Sequence, residues 1–176
     1  MRFSAPLALG LLCAVLPRPA LGAGAPPGEG QATGRWIVDG STIELRHARA
    51  FREPDPFGKG SNPCVLVSNE KVPDAAVPAD DDGIAELLDL VRQGTLRALQ
   101  VCFDASGQKL RSVNDVFTFH PDVSPGRFGF QGFHRFTPKE GAAGRIAGKL
   151  TGAGDTNAGG KWSDELELSV PMPAEI

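Results

Sequence analysis

Apolar and polar residues alternate with a period of two along most of the chain from Gly34 onward. The pattern is clearest over residues 161–170, where Trp162 and Leu166 share one side of an extended strand and Lys161 and Glu165 share the other. One buried side and one solvated side are typical of an antiparallel sheet. Strands are predicted on this basis over residues 35–38, 42–51, 64–68, 96–104, 113–120, 127–136, 145–150 and 161–170. Their number and spacing predict an all-β, mainly antiparallel β-sandwich of about eight strands, with a β-barrel as the alternative.

Turn-forming residues separate these strands. The dipeptide Asp39-Gly40 predicts a tight hairpin turn, because glycine tolerates a positive φ. Gly132 predicts a bulge within its strand. Residues 52–63, 69–79 and 151–160 are rich in glycine and proline or small polar residues, and are interpreted as loops. Loops at the ends of a sandwich are common binding sites.

One short helix interrupts the strand pattern. Asp80-Asp81-Asp82 is suited to cap and charge-stabilise a helix start, and Gly94 is suited to end it. Between them, apolar residues recur at helical spacing, at Ile84, Leu87, Leu88 and Val91. We therefore expect this helix to pack against the sheet through that stripe.

The first 22 residues have the three regions of a secretory signal peptide. Arg2 supplies the positive start, residues 5–16 form the apolar run, and Ala20-Leu21-Gly22 supplies the small residues of a cleavage site. The apolar run is shorter than the ~20 residues that cross a bilayer, so stable membrane insertion is not expected. The predicted organisation is a signal peptide over 1–22, a flexible leader over 23–33 and a single domain over 34–173, with a periplasmic or secreted destination.

The cysteines agree with export. Cys13 lies in the predicted signal peptide, which leaves Cys64 and Cys102. An even pair in an exported protein predicts a structural disulfide. The alternative, a metal-binding or redox pair, lacks C-x-x-C spacing.

The net charge of the chain limits the classes of binding partner that are expected. The formal net charge is −3 for the whole chain and about −5 for residues 23–176, by the same count of Lys, Arg, Asp and Glu. The sequence holds no cluster of lysine or arginine. Nucleic acid and anionic membranes are therefore disfavoured as partners, since both attract a basic face. An unidentified protein or small molecule is the remaining class of partner.

Motifs for known chemistry are missing from the sequence. It lacks the G-x-S-x-G of serine hydrolases, and no cofactor is predicted. His47, His120 and His134 lie on three different predicted strands, so a three-histidine metal site is geometrically possible. Ordinary surface or core histidines are the alternative.

Four polar residues lie at apolar positions of the strand pattern: His47, Arg49, Asp115 and Asp164. A buried arginine is costly unless it is paired, so Arg49 is predicted to meet Asp164 or Asp115 in a buried polar network. The alternative is a bulge near His47 that turns the alanines on either side of Arg49 inward and leaves Arg49 in water. Trp36 alternates with aliphatic residues, as Trp162 does, and is expected in the core.

Two resemblances bear on the fold. The segment TGRW, which contains Gly34 and Trp36, resembles the G-x-W at the start of lipocalins, which are exported, disulfide-bearing barrels of about eight strands with one helix. That likeness implies a lipocalin-like β-barrel, although the lipocalin helix lies near the C-terminus and the helix here is central. The segments WIVDGSTIELRHARAF, LLDLVRQGTLRALQVCFDASG and WSDELELSV are similar to a set of uncharacterised exported bacterial β-sandwich proteins. This second likeness implies a fold and carries over no functional residue.

These observations favour an exported, non-catalytic binding or envelope-structural module. The alternatives are a lipocalin-like carrier of a small apolar ligand and a histidine-based metal-binding protein or enzyme.

Overall fold

The computed structural model of the protein describes residues 28–54, 60–106, 109–122, 134–155 and 160–174. Its strands are β1 (Gly28–Val38), β2 (Ser41–Pro54), β3 (Ser61–Ser68), β4 (Ala98–Ser106), β5 (Lys109–Phe119), β6 (His134–Pro138), β7 (Arg145–Asp155) and β8 (Lys161–Pro171). The helix α1 (Asp81–Arg92) lies between β3 and β4, after a 3-10 turn at Asp74–Ala76. Within the residues that the structure describes, the all-β class, the eight antiparallel strands and the one central helix are confirmed. The predicted signal peptide lies outside the described residues, as does Gly132.

All eight strands belong to one sheet with the order β5-β4-β3-β2-β1-β8-β7-β6. Strands that follow one another in the chain are neighbours in this sheet except β5 and β6, and β1 pairs with β8. The sheet begins at β5 and finishes at β6. The rings of Phe103 on β4 and Phe136 on β6 nevertheless lie 4.9 Å apart, so the two margins come together. The sheet is therefore a nearly closed barrel, as expected of the barrel alternative.

The first hairpin follows from its turn residues. Asp39 has a φ of 48° and Gly40 a φ of 82°, the two positive values that a tight two-residue hairpin turn requires. The Asp39 carboxylate also accepts the backbone N–H of Lys161 at 2.9 Å, which ties the turn to the start of β8. The predicted turn is confirmed.

The helix forms as its capping residues predict. The Asp80 carboxylate accepts the backbone N–H of Gly83 at 2.8 Å, and Gly94 follows the helix with a φ of 82°. Leu87 and Val91, two apolar residues of the helix itself, are fully buried. Within the described residues, no helix is long and apolar enough to span a membrane.

Four strands are clearly longer than the sequence pattern indicates. β1 begins at Gly28, inside the segment interpreted as a flexible leader, and its first residues pair with β2. β7 continues to Asp155, and β2 and β3 extend into the segment 52–63, so parts of two predicted loops are strand. These segments were not predicted as strands because glycine and proline have a low strand propensity. Pairing with neighbouring strands can override that propensity.

Buried side chains form two layers, one inside the barrel and one outside it under α1. The inner layer includes Trp36, Leu45, Val65, Val101, Phe103, Ile146, Leu150, Leu166 and Val170. The outer layer includes Phe51, Leu66, Val77, Leu87, Val91, Leu96, Ala98 and Phe119. The predicted disulfide is present: Cys64 on β3 and Cys102 on β4 are bonded, directly opposite each other in the ladder.

Candidate functional site

The side chains inside the barrel differ in polarity between its two ends. Near the end where β1 finishes and β8 begins, buried polar and aromatic side chains meet; we call this group the polar end. It consists of Trp36, His120, His134, Trp162 and Asp164. Toward the opposite end the interior is hydrocarbon; we call that group the apolar end. It consists of Ala50, Phe103, Ile146, Leu150, Leu166, Leu168 and Val170.

A histidine–aspartate pair lies inside the polar end. His134 Nε2 and Asp164 Oδ2 are 2.7 Å apart, and the two side chains are 1% and 0% exposed. Because an ionised carboxylate only accepts hydrogen bonds, the imidazole donates from Nε2. The imidazole also stacks on Trp162, with ring centroids 4.8 Å apart and planes 16° from parallel. This contact fixes the ring that carries the pair.

A glycine allows the pair to form across an intervening strand. His134 on β6, Gly152 on β7 and Asp164 on β8 stand in one register row. A Cβ on Gly152 would lie 2.6 Å from His134 Nε2 and 3.0 Å from Asp164 Oδ2. Any larger residue would therefore push the two side chains apart.

The pair leaves hydrogen-bonding capacity unused. Among the described residues, neither His134 Nδ1 nor Asp164 Oδ1 has a hydrogen-bond partner, and the same holds for Trp36 Nε1. Buried polar atoms are nearly always bonded to protein or water, and an exception needs an explanation. A polar group from outside the chain, either water or a ligand, would satisfy these atoms.

His120 is the second buried histidine of the polar end. It is 5% exposed, and its ring meets the ring of Trp36 edge-on at 5.5 Å. Its Nδ1 accepts the backbone N–H of Asp122 at 3.1 Å. Burial lowers the pKa of His120, and the nearby positive charge of Arg97 lowers it further, against the opposing effects of Asp122 and Asp39.

An open cleft of about 550 Å³ lies at the mouth of the polar end. Val38, Ile43 and His120 contribute to its wall, and through His120 the cleft borders the ring that contacts Trp36. Its charged lining residues are Asp39, Glu44, Arg46, Glu70, Arg97 and Asp122. The cleft therefore combines a buried histidine with a mainly acidic rim.

The predicted polar network does not form. His47, Arg49, Asp115 and Asp164 are distributed over different strands and both faces of the sheet, and only Asp164 belongs to the polar end. Asp115 is half-buried on β5, opposite Cys102. His47 is half-buried on β2, opposite Ser68.

The predicted partners of Arg49 are wrong. Its Nη1 lies 2.6 Å from Glu29 Oε1, and its Nη2 contacts the Asp74 carboxylate. Leu45, Ala48 and Ala50 all face the interior, so the strand changes parity near His47. This shift turns Arg49 to the outer face, where it is 6% exposed but paired. The alternative hypothesis was correct about the inward alanines and wrong about solvent around Arg49.

The three-histidine metal site does not form either. Within the described residues, one group of three potential metal ligands lies within 4.8 Å, and it consists of Glu53, Cys64 and Cys102. His47, His120 and His134 are therefore not within ligating distance as a set. The two cysteines of that group are joined in the disulfide, which removes them as thiolate ligands.

Sequence reasoning missed the partnership of His134 and Asp164. The inward position of Asp164 is predicted by its parity with Trp162 and Leu166, and both tryptophans are buried as expected. The signal that was overlooked is the pair of glycines at 152 and 154, which continue the inward parity of Leu150. Residues without side chains at inward positions leave room for large groups on neighbouring strands.

Comparisons of the chain with protein-family models, with curated proteins and with solved structures gave no match.

Proposed function

We propose that this chain is an exported, non-catalytic binding protein that takes a small polar ligand at the polar end of its barrel. The observation that carries the proposal is the cleft of about 550 Å³ whose wall includes the buried His120, the ring of which contacts the ring of Trp36. Ligand sites in proteins are typically concave, of ~300–1,000 Å³, with a few polar groups that converge on the ligand.

The rigidity of the surrounding barrel supports this function. The cleft wall includes residues of β1, β2 and the turn between them, and Asp39 of that turn accepts the Lys161 N–H. Asn69 in the wall is also fixed, since its side chain bonds to the backbone of Thr95 and Arg97. A site whose walls are held by such bonds loses little conformational freedom when a ligand binds.

An export signal and a disulfide fit this role. Residues 1–22 carry the sequence pattern of a signal peptide, and the Cys64–Cys102 bond is compatible with an oxidising compartment. We propose the periplasm or the extracellular space as the place of action.

The other two functions are less well supported. A carrier of an apolar ligand needs an empty interior, whereas Trp36, Phe103, Leu150 and Leu166 fill the described part of this barrel. A metal-dependent function based on the three histidines lacks the required convergence.

A ligand screen on the disulfide-bonded protein tests the proposal. The compounds are small cations, anions, neutral polar molecules and fatty acids, and binding is followed by backbone amide chemical shifts. We expect at least one polar compound to shift the amides of Val38, Ile43 and Asn69. Binding of fatty acids with shifts at the apolar end would instead support the apolar carrier.

A cleft-filling variant provides the matched test. Ser41 is exposed in the cleft wall, so Ser41→Trp should block the ligand and weaken binding by tenfold or more. Thr33→Trp, on the outer face of β1 and away from this cleft, should bind as the unmodified protein does. Unchanged affinity in Ser41→Trp would refute a site in this cleft.

A further inference from the structure

The disulfide lies against a carboxylate to which it can donate no hydrogen bond. Glu53 Oε2 on β2 is 3.3 Å from Cys102 Sγ and 3.8 Å from Cys64 Sγ. The backbone carbonyl oxygen of Asn62 lies 3.6 Å from Cys64 Sγ. Carboxylate and carbonyl oxygens only accept hydrogen bonds, and the sulfur atoms of a disulfide carry no hydrogen. These contacts become favourable when the sulfurs carry protons or bind a cation together with the carboxylate.

Gln100 orients the carboxylate toward the sulfurs. Its Nε2 donates a hydrogen bond of 2.8 Å to Glu53 Oε2 and lies 3.3 Å from Cys102 Sγ. Gln100 is fully buried, and it precedes Cys102 by two residues on β4, so the two side chains share one face of the sheet. The amide group carries two N–H donors and can therefore bond to the carboxylate and to a sulfur at once. Hydrogen bonds of this kind orient metal ligands in proteins.

The distances match those between ligands of a tetrahedral zinc ion. Zinc bonds to thiolate sulfur at ~2.3 Å and to carboxylate oxygen at ~2.0–2.2 Å, which separates a sulfur ligand from an oxygen ligand by ~3.5 Å. The distances from Glu53 Oε2 to the two sulfurs lie on either side of this value. Among the described residues, Glu53, Cys64 and Cys102 form the one group of three potential metal ligands within 4.8 Å of one another. Two sulfur ligands of zinc lie ~3.8 Å apart, so the S–S bond must break before zinc can bind.

We propose that Cys64, Cys102 and Glu53 form a zinc site when the disulfide is reduced, so that a metal ion replaces the covalent link between β3 and β4. A dithiol reductant gives two electrons and two protons to the disulfide; each sulfur becomes S–H, and the reductant becomes a disulfide. Zinc then displaces both thiol protons, which pass to water. Two thiolates and one carboxylate leave the fourth tetrahedral position to a water molecule. The site is independent of the proposed function, since the cleft lining contains none of its residues.

Zinc titration of the reduced protein tests the site. Cys13→Ser removes the third cysteine, so Cys64 and Cys102 are the only source of thiolates. A water-soluble phosphine reduces the disulfide and takes up the oxygen of one water molecule; the mass of the chain should rise by two hydrogens while circular dichroism shows a folded barrel. By native mass spectrometry, the reduced protein should bind one zinc ion, and the oxidised protein should bind none at the same zinc concentration. A disulfide that resists the phosphine until the barrel unfolds, or reduced protein that binds no zinc, overturns the inference.

Cobalt identifies the ligand atoms. Co²⁺ accepts the same ligand types as zinc, and a bond from thiolate to Co²⁺ gives a charge-transfer absorption in the near ultraviolet that histidine and carboxylate ligands do not give. We expect this absorption in the reduced protein and not in the oxidised protein. Zinc binding by the reduced protein without the cobalt–thiolate absorption would place the metal at other residues and would also overturn the inference.

Two substitutions test the carboxylate ligand. Glu53→Gln keeps the size of the side chain and both cysteines but removes the negative charge. It should weaken zinc binding to the reduced protein by tenfold or more, since loss of a residue that only orients a ligand already has an effect of this size. Glu167→Gln is the matched control, because Glu167 is exposed on β8, which is adjacent to none of β2, β3 and β4. Equal zinc affinity in the two variants would contradict the assignment of Glu53 as a ligand.

Discussion

The two ends of the barrel interior are buried to the same degree but are built from opposite kinds of side chain. Phe103, Leu150 and Leu166 at the apolar end are fully buried, and so are the side chains of His134 and Asp164 at the polar end. Burial of apolar area stabilises a fold by about 25 cal/mol per Å², whereas buried polar groups cost free energy unless they are fully bonded. The polar end is thus the end of the barrel interior that does not maximise stability.

This difference indicates where function lies. The polar end contains buried atoms with unused hydrogen-bonding capacity, and its His120 lines a cleft, whereas the apolar end is filled by close-packed hydrocarbon. Departures from the most stable arrangement are expected at functional sites, because natural cores otherwise satisfy their polar groups. Substitutions at the two ends should therefore affect stability by different mechanisms.

The largest expected effect is at the apolar end. Phe103 is fully buried and its ring contacts Phe136 at 4.9 Å. Phe103→Ala should lower the free energy of unfolding by about 3–5 kcal/mol, because it leaves a cavity that hydrocarbon neighbours only partly fill. Urea denaturation followed by circular dichroism measures this loss. Phe103→Leu, which keeps most of the volume, should lose about 1.5 kcal/mol or less. Equal losses in the two variants would contradict close packing.

The pair at the polar end should behave in the opposite way when both residues become apolar. Asp164→Leu leaves the His134 N–H buried without its acceptor and should cost about 3 kcal/mol. The double change His134→Leu/Asp164→Leu removes both polar groups and should restore the free energy of unfolding to that of the unmodified protein or above it. A double-mutant cycle in urea measures the coupling.

The same double variant separates stability from function. If the pair is present for function rather than for stability, the double variant should be as stable as the unmodified protein or more stable. A double variant that is as unstable as the sum of the two single variants would show instead that the pair contributes to the fold itself.

Gly152 tests the geometry of the pair with a smaller change. A Cβ at this position would lie 2.4 Å from His134 Cδ2, so Gly152→Ala must displace the imidazole or the carboxylate. We expect a loss of about 1–3 kcal/mol, the usual cost of overpacking. Gly60→Ala is the control, since a Cβ there has open space around it and should change stability by about 0.5 kcal/mol or less. Equal stability of the two variants would mean that the His134–Asp164 contact is loose.

The strand pattern predicted the apolar end well and the polar end only in part. In β8 the period of two runs without interruption, so the inward positions of Trp162, Asp164 and Leu166 could be read from the sequence alone. In β2 the parity changes near His47, and Arg49 therefore faces outward with partners that were not foreseen. A shift of one residue moves every later side chain to the other face, and a single strand does not reveal it.

The His134–Asp164 pair depends on information that the local pattern does not contain. It requires β6, β7 and β8 to be neighbours in a particular register, with a glycine in the middle strand. The disulfide, in contrast, could be predicted because Cys64 and Cys102 are the two cysteines that remain after the predicted signal peptide. Residue type alone fixed that pairing, whereas the polar pair needed three-dimensional neighbours.

The smallest predicted effect is a pH dependence at the polar end that the apolar end lacks. Burial and then the charge of Arg97 lower the pKa of His120 below its ordinary value of 6.5. Between the lowered pKa and 6.5 the unfolded chain binds more protons at this residue than the folded protein does. The free energy of unfolding should therefore rise with pH through that window, reach its full value above it and decrease as the pH falls.

Urea denaturation at intervals between pH 5 and pH 8 measures this contribution as a difference between variants. His120→Gln cannot titrate, so its curve of unfolding free energy against pH should be flatter than that of the unmodified protein below pH 6.5. Phe103→Leu should lie below the unmodified protein by the same amount at every pH, because a hydrocarbon change binds no protons. If His120→Gln also runs parallel to the unmodified protein, the folded protein accommodates protonated His120 without cost. The polar end would then be open to water around that ring, and its contrast with the apolar end would be one of hydration as well as of composition.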